Sequence, residues 1–103
     1  MNPSQVVHLE WVPAEKGGRA NLPDGPTYAT IVHFENEPLT GSFSVLIEFP
    51  EHSARRDMTA ALSLLAPDNL PEVARRLVPG ARLAVTEGQR LVATAEVLGP
   101  GAG

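Results

Sequence analysis

The chain has 103 residues, a formal net charge of −4, 43% hydrophobic residues and no cysteine. That length makes one domain around one core, and the hydrophobic share is enough to fold it. The missing cysteines exclude disulfides, thiolate zinc sites and cysteine nucleophiles together, and the acidic balance works against non-specific binding to nucleic acid.

No apolar run approaches the ~20 residues of a membrane-spanning helix. The opening residues, Met1-Asn2-Pro3-Ser4-Gln5, lack the basic and apolar blocks of a secretory signal, so a soluble cytoplasmic protein is the expectation. Seven of the eight basic residues are arginines. That bias suits recognition of phosphate or carboxylate, and genomic base composition produces the same bias.

Residues 6–12 alternate, with Val7, Leu9 and Trp11 on one face and His8 and Glu10 on the other. This is the pattern of a half-buried strand, and Pro13 stops it. A long polar connection follows over residues 14–26, punctuated by Gly17-Gly18, Asn21, Pro23, Asp24-Gly25 and Pro26. Loops of that length in a small domain are functional or are mobile connectors, and both readings stay open at this point.

Residues 27–34 return to strand chemistry, with Tyr28, Thr30, Val32 and Phe34 opposite Ala29, Ile31 and His33. After a turn around Pro38 and Gly41, residues 42–49 give the clearest alternation, with Phe43, Val45, Ile47 and Phe49 facing in. Residues 53–66 fit two patterns. Ser53 is a plausible helix cap, with Met58, Ala61, Leu62 and Leu65 at helical spacing, yet Met58, Ala60, Leu62 and Leu64 also alternate. Asn69-Leu70-Pro71-Glu72 reads as the start of one short helical turn, with Asn69 as cap and Val73, Leu77 and Val78 docking on the core.

The last third carries a hairpin. Residues 81–86 alternate Leu83 and Val85 against Arg82 and Ala84, and residues 90–98 alternate Leu91, Ala93, Ala95 and Val97 against Val92, Thr94 and Glu96. Glu87-Gly88-Gln89 connects them, with Gly88 able to supply the positive φ of a tight return.

Pro79-Gly80, a short strand, Glu87-Gly88-x-Arg90 and a strand rich in small residues together resemble the C-terminal β-barrel domain of elongation factor Tu. Glu15-x-Gly17-Gly18-Arg19, then Gly25 and the aromatic Tyr28, is similar to the opening of that domain. The resemblance implies a strand over residues 58–65, which is the reading adopted. Six strands, Gly/Pro punctuation and at most one helical turn predict an all-β fold, a small closed six-stranded antiparallel β-barrel over residues 1–103 with loose ends at 1–4 and 99–103. The chain has no Gly-x-x-x-x-Gly-Lys phosphate loop, so neither GTP nor GTP hydrolysis is expected.

Candidate chemistry is sparse. His8, His33 and His52 have no partners at metal-ligand spacing, and no serine sits in a nucleophile elbow. Glu35/Glu37 and Glu48/Glu51 read as solvated acidic faces that together could form one acidic rim. The expectation is therefore no catalytic residue, no cofactor and no metal.

The resemblance implies instead that Glu87, Gly88 and Arg90 lie close to bound tRNA, with Gln89 where the family has a second glycine. Arg19 is expected to pin its long loop by forking onto a carboxylate or loop carbonyls. Arg19, Glu87, Gly88 and Arg90 thus form the tentative site for tRNA-like RNA or a protein partner. Two functions stay open: a translation-linked binding module, or a protein-interaction or regulatory module that retains only the barrel.

Overall fold

The computed structural model describes residues 4–38, 41–50, 55–65 and 71–101. Its strands are β1 (Ser4–Trp11), β2 (Thr27–Phe34), β3 (Phe43–Glu48), β4 (Asp57–Leu64), β5 (Arg82–Glu87) and β6 (Arg90–Pro100). One short helix, α1 (Pro71–Arg76), precedes β5, and a 3-10 turn covers Ala14–Lys16. The strands close into a barrel in the order β1-β4-β3-β2-β5-β6, every pairing antiparallel. Closure leaves no strand edge unpaired, which is how a small sheet avoids edge-to-edge association.

The alternation in the sequence explains most of the core. Val7, Leu9 and Trp11 of β1, Val45 and Ile47 of β3, and Leu83 and Val85 of β5 all point into the barrel and are buried. The strand expected over residues 58–65 is present as β4, Asp57–Leu64, in place of the helical alternative. Met58, Ala60, Leu62 and Leu64 are buried while Asp57 and Thr59 are exposed. Here β4 pairs with both β1 and β3, so ladder bonds on two sides override the helical propensity of alanine and leucine. The expected caps Ser53 and Asn69 lie outside the described residues, as does His52.

One expectation fails in β6. Its alternation groups Leu91 with Ala93, Ala95 and Val97 and sets Val92 on the opposite face, but Val92 is fully buried with that group and Leu91 is 42% exposed. A register shift between Val85 and Thr86 pairs Val85 with Ala93 and Thr86 with Leu91, leaving Val92 as the extra residue of a bulge. The bulge turns Val92 into the core and puts Leu91 on the outer surface. At a second shift, where Val6 pairs Gly99 and Val7 pairs Val97, Leu98 is the extra residue and is exposed. Beyond it β6 continues to Pro100, and the Gly101 N–H donates to the Ser4 carbonyl at 2.8 Å.

The antiparallel order sends the connections alternately to two ends. One end carries residues 12–26, residues 49–50 and 55–56 and the Glu87–Arg90 turn, and Trp11, Tyr28 and Phe49 close its interior. The Trp11 ring lies 5.8 Å from Tyr28 and 6.4 Å from Phe49, tilted in both pairs. The other end carries α1. There Arg76 stacks 4.0 Å over Phe34 while its guanidinium donates twice to Glu37, at 2.7 and 3.3 Å. Leu77 behind it is buried, so this one-turn helix is held by its side chains rather than its length.

Candidate functional site

The long connection between β1 and β2 is ordered by its glycines. After the 3-10 turn, Gly17 takes a φ of 96° and its N–H donates to the Ala14 carbonyl. Gly18 follows, buried against Val12 so closely that a Cβ there would lie 1.9 Å from the Val12 oxygen. Leu22 packs on the core and Pro23 is buried. The segment is therefore packed against the barrel through Gly18, Leu22 and Pro23. It is a strap laid across the barrel end.

The strap delivers Arg19 to the hairpin turn. Arg19 Nε donates to the Asn21 carbonyl at 2.8 Å, and Arg19 Nη1 donates to Glu87 Oε2. The guanidinium also lies 5.6 Å from the Tyr28 ring centre. Tyr28 donates its hydroxyl to the same Glu87 oxygen, and Arg90 Nη2 donates to Glu87 Oε1 at 3.0 Å. Gly88 occupies the turn between Glu87 and Arg90 with a φ of 64°.

All four residues of the tentative site thus meet in one cluster, and Glu87 is its centre. Tyr28 is a member that the sequence offered as a strand residue and as part of the resemblance, but not as part of the site. Its signal was an aromatic at the start of β2, where an inward ring can still reach the rim with its hydroxyl.

The electrostatics follow from that geometry. Burial alone would raise the Glu87 carboxyl, but hydrogen bonds from Tyr28, Arg19 and Arg90 outweigh it and hold the group below its ordinary value. Burial, reinforced by the bond to Glu87, pushes the Tyr28 phenol up. The hydrogen bond to Glu87 raises Arg19 further above its already high value. Two guanidinium groups against one carboxylate leave the cluster with one surplus positive charge. It borders a shallow cleft of about 320 Å³ lined by Arg19, Ala20, Asn21, Glu87 and Arg90.

The acidic pairs do not form a single rim. Glu35 accepts from Arg82 and Glu37 from Arg76 at the α1 end, whereas Glu48 ends β3 at the opposite end; Glu51 lies outside the described residues. His8 pairs with Asp57 on the outer face, and His33 lies on the outer face of β2. Among the described residues, no three His, Asp or Glu side chains converge as a metal-binding group. Among them, too, no helix is long and apolar enough to cross a membrane. No protein-family model matches the chain, and a search of curated proteins returns no match.

Proposed function

We propose that this chain is a non-catalytic binding module, an elongation-factor-Tu-C-terminal-domain-like barrel, whose partner is a protein. The observation that carries this reading is the state of Glu87. Three donors from the strap, β2 and β6 converge on it, so the charges that the resemblance would offer to RNA are engaged within the molecule. The net charge of −4 points the same way.

A translation-linked, RNA-binding reading rests on one specific feature. Arg90 is 54% exposed beside Gly88, and its cluster has a surplus positive charge. A single guanidinium next to a glycine turn can meet one phosphate, but a phosphate-tracking surface needs several such contacts.

Binding of tRNA separates the two. For the protein-interaction reading, filter binding at ~150 mM salt should show no complex at micromolar concentrations. Binding that is micromolar or tighter, abolished in Gly88→Val and flattened by about one charge in its salt slope by Arg90→Ala, would replace this reading with the RNA one.

A further inference from the structure

The outward face of β5 carries a feature unrelated to the Glu87 cluster. Register places Ile31 beside Thr86 and Thr86 beside Leu91, and in the next row His33 beside Ala84 and Ala84 beside Thr94. Ala84 and Thr86 face outward, yet they are only 6% and 4% exposed. They form the floor of a groove of about 490 Å³, with His33, Glu35, Gln89 and Leu91 as its walls.

The Thr86 hydroxyl donates to the Ile31 carbonyl at 3.2 Å, so it is satisfied internally and the floor is effectively apolar. Leu91 is a wall only because the β6 bulge turns it out of the core. With Ile31 it leaves two large aliphatic side chains 42% and 47% exposed on either side of Thr86. His33 Nδ1 is buried in the wall with no hydrogen-bond partner among the described residues.

The next row is charged. Arg82 lies between Glu35, at 3.0 Å, and Glu96, at 3.4 Å. Glu10 of β1, which pairs with Thr94, adds a third carboxylate to the same side. Three carboxylates against one guanidinium leave this rim with an excess of two negative charges.

We propose that this groove docks a basic peptide segment of a partner protein, with one aliphatic side chain seated over Thr86 between Ile31 and Leu91. The proposal rests on the protein-interaction reading and names its surface and ligand class. Charge selects the occupant. A second copy across a two-fold axis would set the same carboxylates against one another, and a nucleic acid would bring phosphates to them. A segment with arginine or lysine beside its anchor complements both floor and rim. Strand addition is closed to it, because β5 is paired on both sides. Recognition must therefore come from side chains, with Leu91 and Ile31 holding the anchor and the carboxylates holding its basic neighbours.

The test selects from a display library of random seven-residue peptides on the immobilised full chain, then maps the best binder by amide chemical shifts. Selected peptides should carry two or more Arg or Lys around one Leu, Ile, Val or Met. Shifts should concentrate on residues 31–35, 82–86 and 91–96. Leu91→Arg should weaken binding at least about tenfold, while Leu98→Arg, at another exposed aliphatic, should stay within about twofold. Both variants change exposed residues, and circular dichroism confirms their fold.

Peptides without a basic excess, shifts on another face, an unaffected Leu91→Arg or no selectable peptide would each overturn the groove. Peptides that bind at another face would leave the protein-interaction reading standing. An absence of peptides together with micromolar tRNA binding would remove that reading as well.

Discussion

Gly18→Ala is expected to destabilise the protein by about 2–4 kcal/mol, a large part of the ~5–15 kcal/mol that holds a domain of this size together. The new Cβ would lie 1.9 Å from the Val12 oxygen, 2.6 Å from its carbonyl carbon and 2.9 Å from its Cβ. Relief requires backbone movement, because the first two atoms belong to the main chain. Val12 is not free to move, since its N–H donates to the Val92 carbonyl at 2.9 Å, at the bulge of β6. The strap must therefore lift, taking Leu22 and Arg19 with it.

Gly17→Ala is the control. It meets nothing within 4 Å and suffers only the left-handed φ of 96°, a cost of about 1–2 kcal/mol. Urea midpoints of the two variants decide the matter. Equal shifts would mean that the strap yields easily and that its packing on Val12 contributes little.

The strands were legible because each inward position is set by period-two alternation, which one strand displays by itself. β1 and β3 are the plainest cases, whereas β4 fitted two periods and was read as a strand only through the resemblance; the ladder bonds of its two neighbours supply the physical reason. Leu91 was misread for the complementary reason. A bulge is a property of a pairing, and nothing within residues 90–98 distinguishes an extra residue from an ordinary one. That misreading also concealed the groove, since Leu91 forms its wall.

The candidate site was half legible. Gly88 and Arg90 follow from a turn that local chemistry predicts, and Arg19 was expected to find a carboxylate. Which carboxylate is a matter of topology. Arg19 and Glu87 are 68 positions apart, and only the strap's path over the barrel end brings them together. Tyr28 and Glu87 are 59 apart and meet because β2 pairs with β5.

Glu87→Ala should cost about 2–3 kcal/mol at pH 7, because it leaves the Arg19 guanidinium and the Tyr28 hydroxyl without their shared acceptor at a partly buried site. Arg19→Ala should cost less, about 1–2 kcal/mol, since Glu87 would keep Tyr28 and Arg90. The two effects should not add. A double-mutant cycle should return a coupling of about 1 kcal/mol or more, as befits side chains in direct contact that are each less than a third exposed.

Acid supplies a second signature. The folded protein holds the Glu87 carboxyl below its ordinary value, so its contribution is complete above that value and is lost as pH falls through the depressed one. The stability gap between wild type and Glu87→Gln should accordingly be widest near neutral pH and close progressively below about pH 4.5. Tyr28 works in the opposite sense. Its raised phenol keeps its proton in the folded state, so its contribution persists up to the ordinary phenol range and fades as pH rises beyond about 10. Denaturant midpoints of wild type and Glu87→Gln from pH 3 to 11 would record both limbs. A gap that does not change with pH would mean that Glu87 acts through its shape alone, and the cluster would then lose its role as the electrostatic clasp between strap and hairpin.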